Sequence, residues 1–123
     1  MEKKYGLSPI EWEIMEFLWC SLKGCTFKSL MDYVNGKLNR NWKKQTLSTY
    51  LKNLQLRGLI EADNSQKNFI YHACISREQY VQKWTAKLIE EQYDNSIVKF
   101  VSAFCGAKSL DDNEADELRK LLD

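Results

Sequence analysis

The 123-residue chain is long enough for one domain, or for a small domain followed by an appended segment. Its apolar share of 44% and charged share of 28% are ordinary for a globular protein, and no apolar run approaches the roughly 18 residues of a membrane span. The first residues, MEKKYGLSP, have no apolar core, so we expect no secretory signal peptide and a cytoplasmic location.

Positive charge is concentrated in the first part of the chain, although the formal net charge is only +1. Residues 1–75 have 11 Lys and Arg against 7 Asp and Glu, a net +4, whereas residues 76–123 have 7 against 10, a net −3. No acidic residue lies between Asp32 and Glu61, a stretch that contains six Lys and Arg. This asymmetry predicts that the first part faces a polyanion and that the second part has a different task.

Two amphipathic helices are predicted in the first 40 residues. Residues 8–11, Ser-Pro-Ile-Glu, form a helix start with a capping box, and apolar residues follow at helical spacing. Residues 25–27 are predicted as a brief strand and residues 27–38 as a second helix. We expect Asn35 and Gly36 to fray the last turn of that helix.

A third helix is predicted over the sequence KKQTLSTYLKNLQL, which begins at Lys43. Apolar side chains at positions 47, 50, 51 and 54 make a stripe to be buried, and polar side chains project from the opposite side. Lys43 is a poor capping residue for its start, and Gly58 is well suited to follow its end.

Residues 59–75 change from helical to strand periodicity. A strand at residues 59–62, a polar turn at residues 63–68 and a strand at residues 69–75 predict a β-hairpin. Three helices and then a hairpin is the order of a winged helix-turn-helix, in which the hairpin is the wing. We therefore predict a mostly α fold with a small β-hairpin, with a winged-helix domain over residues 1–75.

Residues 76–123 are predicted to be a separate helical region. Ser76 and Gln79 form a second capping box, and the apolar pattern that follows is interrupted near residues 93–95 and ends at Gly106. A last short helix is predicted to open at residues 109–112.

The exposed face of the third helix has the properties of a helix that reads DNA. An α-helix fits the major groove, lysines neutralise phosphates, and Gln, Ser and Thr side chains hydrogen-bond to bases or phosphates. We therefore predict double-stranded DNA as a partner. The residues predicted to contact the groove or nearby phosphates are Gln45, Thr46, Ser48, Thr49 and Lys52. The residues predicted to contact phosphates are Lys43, Lys44, Arg57 and the wing residue Lys67.

The helical region has more apolar side chains than so thin a segment can bury by itself. One interpretation is that it folds back on the winged helix. The other is that it pairs with a second copy in a two-fold homodimer, which suits a DNA-binding protein with two half-sites. The residues predicted for dimerisation are Tyr80, Trp84, Leu88, Ile97, Phe100, Val101, Phe104, Leu118 and Leu121.

The sequence predicts neither a metal site nor a catalytic site. The four cysteines lack Cys-x-x-Cys spacing, and His72 is the single histidine, so we expect no metal, no cofactor and reduced, mostly buried thiols. No glycine-rich phosphate loop, GxSxG or HExxH motif occurs, so we expect the chain not to be an enzyme.

Four segments of the chain resemble the penicillinase-repressor family of bacterial transcriptional regulators. They are Leu7-Ser8-x-x-Glu11-Trp12-Glu13-Ile14-Met15 with Trp19, Trp42 with Thr46-x-x-Thr49-x-Leu51-x-x-Leu54, Arg57-Gly58-Leu59-Ile60, and the segment from Leu110 to Leu122. The resemblance covers nearly the whole chain. It implies a homodimeric winged-helix repressor that blocks transcription at a dyad operator.

The resemblance also implies how such a repressor is released. In relatives that respond to β-lactam antibiotics, a membrane sensor metalloprotease causes the C-terminal helical region to be cut and the dimer to dissociate. The matching position here is Lys99-Phe100, where those relatives have Asn before the Phe. Ser48 and Asn53 stand where relatives often have Arg, which predicts a different operator or weaker binding. A copper-responsive branch has paired Cys-x-Cys motifs, and the lone Cys105 gives no reason to expect copper sensing.

Two alternative functions stay open from the sequence. A protein-interaction adaptor built on a winged helix would show no salt-dependent DNA affinity. A repressor that senses a metal or small ligand through Cys20, Cys25 or the helical region would, in the case of a metal, retain it after purification under reducing conditions.

Overall fold

The chain divides into two compact units, Met1–Gln82 and Lys83–Asp123. The computed structural model describes residues 5–65 and 68–123. The boundary between domains that the sequence predicts near Ser76 stays a prediction.

Helices dominate the described residues, together with a small antiparallel sheet, which confirms the predicted fold class. The first unit contains the helices α1 (Pro9–Trp19), α2 (Phe27–Asp32) and α3 (Lys44–Leu56) and the strands β1 (Cys25–Thr26), β2 (Ile60–Asp63) and β3 (Ile70–Ala73). Helix α4 (Arg77–Gln92) begins in the first unit and ends in the second, which also contains α5 (Ile97–Ala107) and α6 (Asp112–Leu122). Strand β3 lies in the middle of the sheet, with β1 and β2 antiparallel on either side.

Both predicted capping boxes are present. The Ser8 backbone N–H donates to Glu11 Oε1 at 2.8 Å, and the Glu11 N–H donates to Ser8 Oγ at 3.2 Å. Ser76 and Gln79 exchange the same two bonds at 3.1 and 3.0 Å at the start of α4. Each box satisfies two N–H groups that a helix start leaves without a helical partner.

The second helix is not a continuous α-helix, so the sequence prediction is wrong in its second half. After Asp32 the chain continues as a π-helical segment, Tyr33–Lys37, and the Leu38 N–H donates to the Tyr33 carbonyl at 3.1 Å. Gly36 in this segment stabilises the α-form poorly, which makes the wider turn less costly.

Two other predicted boundaries need correction. The brief strand β1 comprises Cys25 and Thr26 only, because Phe27 already begins α2, and β1 pairs with β3 as a third strand. Helix α5 continues through Gly106 to Ala107.

The core of the first unit lies where α1, α2, α3 and the sheet meet. Among the described residues of this unit, the side chains that are nearly inaccessible to solvent are Leu7, Ile14, Met15, Leu18, Leu30, Val34, Leu47, Leu51, Leu54, Ile60 and Tyr80. An aromatic cluster closes one end, where Tyr80 lies 6.4 Å from Trp12 and 6.0 Å from Trp19 between ring centroids. The Trp19 indole N–H donates to the Ile75 carbonyl at 2.9 Å. This end of α4 is therefore part of the first core.

The prediction of mostly buried thiols is wrong. Cys25 is buried, whereas Cys20, Cys74 and Cys105 are exposed. Burial raises the pKa of the Cys25 thiol from its ordinary value of 9.0 to about 11.

None of the helices within residues 5–65 and 68–123 has the length and apolar character needed to cross a membrane.

Candidate DNA-binding surface

A side-chain clamp fixes the start of α3. The Asn35 amide accepts a hydrogen bond from the Trp42 N–H at 2.8 Å and donates one to the Trp42 carbonyl at 3.1 Å. The Trp42 ring stacks on Tyr50 of α3, with centroids 4.7 Å apart and planes inclined by 8°. These contacts hold the residues just before α3 against the π-helical segment and against the body of α3. They therefore set where the predicted DNA-reading helix begins.

The face of α3 opposite its buried leucines is exposed, as the sequence predicts. Gln45, Ser48, Thr49 and Lys52 are exposed, and Thr46 is half-buried beside them. Their spacing brings Gln45, Thr49 and Lys52 onto one strip of the helix surface. The structure therefore places the predicted groove-contacting residues together on one side, with Ser48 at one edge of the strip and Thr46 at the other.

The start of α3 is positively charged. Lys43 and Lys44 are both exposed there, and Lys43 occupies the N-cap position without a side-chain hydrogen bond to the first turn. The N–H groups of a first turn carry partial positive charge and are suited to an anion. Backbone and side chains therefore favour an anion at the same end of the helix.

Arg57, which the sequence predicts as a phosphate contact, is engaged within the first unit. Its guanidinium lies 3.6 Å from Glu11 Oε2 and donates to the Gly6 carbonyl at 3.3 Å. Gly58 follows with φ +75°, the left-handed conformation expected after the end of α3. Arg57 therefore ties the end of α3 to the start of α1, and its contact with phosphate stays a prediction.

A cleft beside the start of α3 adds residues that the sequence analysis did not single out. Its volume is about 710 Å³. The residues that line it are Thr26, Phe27, Lys28, Met31, Asp32, Lys44, Asn68 and Phe69. Lys28 is exposed on the first turn of α2 and shares this cleft with Lys44. The signal available for Lys28 was its position next to a predicted strand, which gives no indication that a cleft forms there.

The segment between β2 and β3 is described up to Ser65 and again from Asn68. Lys67, predicted to contact phosphate, lies outside the described residues, while Asn68 and Phe69 beside it line the cleft. After β2, the Ser65 N–H donates to Asp63 Oδ1 at 2.9 Å. This bond, with a second from the Ser65 side chain, lowers the pKa of Asp63, so the turn keeps its carboxylate charged.

Metal-binding geometry is absent from the part of the chain that the structure describes. Within it, no three His, Cys, Asp or Glu side chains lie close enough together to hold a metal ion.

Most of the residues predicted for dimerisation are accessible. Leu88, Ile97, Phe104 and Leu121 are exposed; Trp84, Phe100, Val101 and Leu118 are half-buried. Tyr80 differs from them, because it is only 2% exposed and its hydroxyl donates to the Tyr5 carbonyl at 2.7 Å. Tyr80 therefore belongs to the core of the first unit.

The predicted cleavage position, Lys99-Phe100, lies in the first turn of α5. The Lys99 N–H donates to Ser96 Oγ at 3.2 Å, and its ammonium lies 2.7 Å from Asp94 Oδ2. The Phe100 ring meets Tyr93 edge-on, with centroids 5.3 Å apart. Just before this turn, Asp94 and Asn95 both have positive φ, at +52° and +59°. Such non-glycine conformations are strained and end α4 abruptly.

Comparison with known proteins places the chain in a family. The profile of the penicillinase repressor family matches residues 7–123. Similar proteins include the methicillin resistance regulatory protein MecI of Mammaliicoccus sciuri, 25% identical over 120 residues, and that of Staphylococcus aureus (strain N315), 24% identical over 120 residues. Both alignments cover 98% of this chain and 95% of the relative.

The chain is also similar to an uncharacterized 16.5 kDa protein in the ptsI 3′ region of Latilactobacillus sakei. The two are 24% identical over 121 residues, which covers 98% of this chain and 81% of that protein. Because the family profile matches almost the entire chain, this protein belongs to the penicillinase repressor family of transcriptional repressors.

Proposed function

We propose that the chain is a homodimeric DNA-binding repressor that blocks transcription at a dyad operator. Helix α3 enters the major groove in this proposal, with Gln45, Ser48, Thr49 and Lys52 at base edges or nearby phosphates. The observation that supports it best is the outward face of α3, which is exposed and polar and has lysines at its start. A DNA-reading helix needs that combination.

Phosphate contacts supply most of the affinity in this proposal. Lys43 and Lys44 are placed at the uncapped start of α3, and Lys28 lies across the same cleft as Lys44. A DNA strand that follows this side of the helix would meet all three cations. Each neutralised phosphate releases counterions, so the affinity should fall steeply with salt.

Dimerisation is proposed to occur through the second unit. Helices α5 and α6 have no buried residue among those described, although Ile97, Phe104 and Leu121 are apolar. Pairing these faces with a second copy would remove them from water and present two α3 helices to two half-sites. Tyr80 is left out of the proposed interface because it is already buried in the first unit.

Release of the repressor is proposed to follow from cleavage at Lys99-Phe100 or from another signal that weakens the dimer. A protease needs an extended segment, so the first turn of α5 would have to open. The positive φ of Asp94 and Asn95 marks a break in the helix shortly before that turn. A membrane sensor metalloprotease is the proposed partner for this step.

The regulated genes are proposed to include genes for antibiotic resistance. Support comes from the relatives of the chain, which are named methicillin resistance regulatory proteins and match over nearly their whole length. A repressor of this kind acts on DNA in the cell interior and is therefore proposed to be cytoplasmic. We also propose that it has no enzymatic activity, as expected for a transcriptional repressor family.

Fluorescence anisotropy with the DNA upstream of the protein's own gene tests the proposal. We expect tight binding relative to a scrambled duplex, a steep dependence on salt, and saturation at two chains per site. Equal weak binding to both duplexes, together with a monomeric chain, would contradict it and favour the adaptor. Metal that remains after purification under reducing conditions, and that changes the affinity, would favour the metal-sensing repressor.

A further inference from the structure

The hydroxyl group of Thr49 is already used inside α3. Its Oγ1–H donates to the carbonyl of Gln45, four residues earlier, at 3.0 Å. Threonine in a helix often makes this bond, and it holds the oxygen against the preceding turn. The hydroxyl proton is therefore not available to a base acceptor.

The same bond decides what Thr49 presents outward. With Oγ1 held against the Gln45 carbonyl, the γ-methyl group takes another staggered position, away from that carbonyl. Thr49 is exposed, so this methyl group is available at the surface. Ser48 beside it is exposed as well, but it has no methyl group and no side-chain hydrogen bond among the described residues. The two neighbouring hydroxyl residues therefore offer different chemistry.

The position of Thr49 is suited to reading a base. It lies at the centre of the outward strip, one turn beyond Gln45. Leu56 follows seven residues later on the same side of the helix and is 79% exposed. Apolar groups on a helix in the major groove match one feature of base edges, the C5-methyl group of thymine. A methyl group at the centre of this strip is therefore suited to contact a thymine.

We propose that Thr49 reads one thymine in each half-site through contact between its γ-methyl group and the thymine C5-methyl group. The inference rests on the proposed function, because it requires α3 to lie in the major groove. Gln45 and Ser48 keep their hydrogen-bonding groups for other base pairs. Thr49 thus selects by an apolar contact within an otherwise polar face.

The test replaces thymines one at a time with deoxyuridine, which removes the methyl group and leaves every hydrogen-bonding group in place. The duplex is the sequence that the unmodified protein enriches from a random library. We expect one thymine per half-site whose replacement weakens binding about four-fold, the factor that follows from burying one methyl group. Replacement in both half-sites should weaken binding about fifteen-fold, because the free-energy costs at two distant sites add and the factors therefore multiply.

Two variants separate the methyl group from the hydroxyl. Thr49→Val keeps a methyl group and removes the hydroxyl, so it should stay sensitive to deoxyuridine. Thr49→Ser keeps the hydroxyl and removes the methyl group, so it should bind thymine and deoxyuridine duplexes equally well. Lys52→Ala serves as the control, because losing a cation should weaken both duplexes by the same factor. Thermal unfolding by circular dichroism verifies that each variant is folded.

The outcomes distinguish this inference from the function on which it rests. If Thr49→Ser stays as sensitive to deoxyuridine as the unmodified protein, or if no thymine is sensitive, the inference is overturned while operator binding stands. Equal affinity of Thr49→Val for the thymine and deoxyuridine duplexes would also overturn the inference, because that variant keeps a methyl group. If the unmodified protein enriches no sequence, the proposed function fails, and the inference fails with it.

Discussion

The two units of the chain treat their apolar side chains in opposite ways. In the first unit, leucines and isoleucines from three helices and a sheet are buried together. In the second unit, Ile89 is the buried apolar residue among those described, while Ile97, Val98, Phe104, Leu121 and Leu122 are exposed. Both units contain helices with side-chain caps, so helix formation alone does not account for the difference.

The difference shows which unit can be complete by itself. Burial of apolar area is the main favourable contribution to folding, and the first unit obtains it within its own residues. The second unit has helices but buries little apolar area among its described residues, so we expect its stability to depend on a further surface. A second copy supplies that surface in the proposed dimer.

The largest expected effect on stability comes from truncating a buried side chain in the core of the first unit. Leu30 is completely buried, so Leu30→Ala should lower the free energy of unfolding by about 2–5 kcal/mol at any protein concentration. Ile97→Ala, at a residue that is 55% exposed, should cost stability only while the chain is dimeric. Urea unfolding at high and low protein concentration measures both changes. A loss for Ile97→Ala that persists in dilute protein would contradict the contrast between the units.

The second prediction places a charge on each unit at a comparably exposed leucine. Leu121→Glu in α6, at a residue that is 81% exposed, should convert the dimer to a monomer and weaken operator binding about 100-fold or more, because two linked contacts become one. The matched control is Leu22→Glu, at a residue of the first unit that is 97% exposed. Sedimentation velocity and anisotropy should show no change for the control. A dimer that persists in Leu121→Glu would contradict the proposed interface, and dimer loss in both variants would show that the effect is not specific to α6.

The third prediction concerns the hydrogen bonds between Asn35 and Trp42 in the first unit. Asn35→Ala removes both hydrogen bonds to Trp42 and should lower stability by about 1–2 kcal/mol, with a parallel loss of DNA affinity. Urea unfolding followed by tryptophan fluorescence measures the effect. Unchanged stability in Asn35→Ala would show that the clamp does not hold the start of α3.

The fourth prediction tests the cleft beside α3. Lys28→Ala should weaken binding to every DNA sequence by a similar factor and reduce the salt slope by about 1, since one phosphate contact is lost. Lys23→Ala makes the same charge change at an exposed position that does not line the cleft. Anisotropy over a salt series compares the two variants. Equal slopes for both would remove Lys28 from the DNA-binding surface.

The smallest effect is a pH dependence inside the first core. The folded Cys25 thiol keeps its proton up to about pH 11, whereas the unfolded thiol loses it near 9.0. The folded state therefore binds more protons between these values, and stability should fall as the pH rises through that window. Burial also raises the pKa of Tyr71, so the comparison with Cys25→Ala isolates the thiol. If the urea midpoint of Cys25→Ala falls as steeply with pH as that of the unmodified protein, Cys25 is not the cause.

Local chemistry made much of the fold predictable. Ser8 with Glu11 and Ser76 with Gln79 fix two helix starts by bonds between residues three apart, so the sequence contains both partners. Gly58 after α3 and the polar residues before α5 likewise end helices through the conformation of a few neighbouring residues. The exposed face of α3 follows from helical spacing alone.

What the sequence could not show depends on residues far apart in the chain. The pairing of β1 with β3 joins Cys25 to Tyr71, and no local pattern predicts it. The cleft that brings Lys28 near Lys44 exists only once that pairing is formed. The sequence missed the π-helical segment for another reason. A wider helical turn and a frayed helix end have the same residue composition, and they differ only in the contact between Asn35 and Trp42.

Thr26 belongs to two elements at once. It pairs with Ile70 of the wing, and its Oγ1 accepts the Ser29 N–H at 3.1 Å to cap α2. Local opening of the wing strand would therefore release the first turn of α2, and both would open as one cooperative segment. Amides of β3 and of the start of α2 should then exchange hydrogen with solvent at matching rates, and DNA bound across the cleft should slow both together.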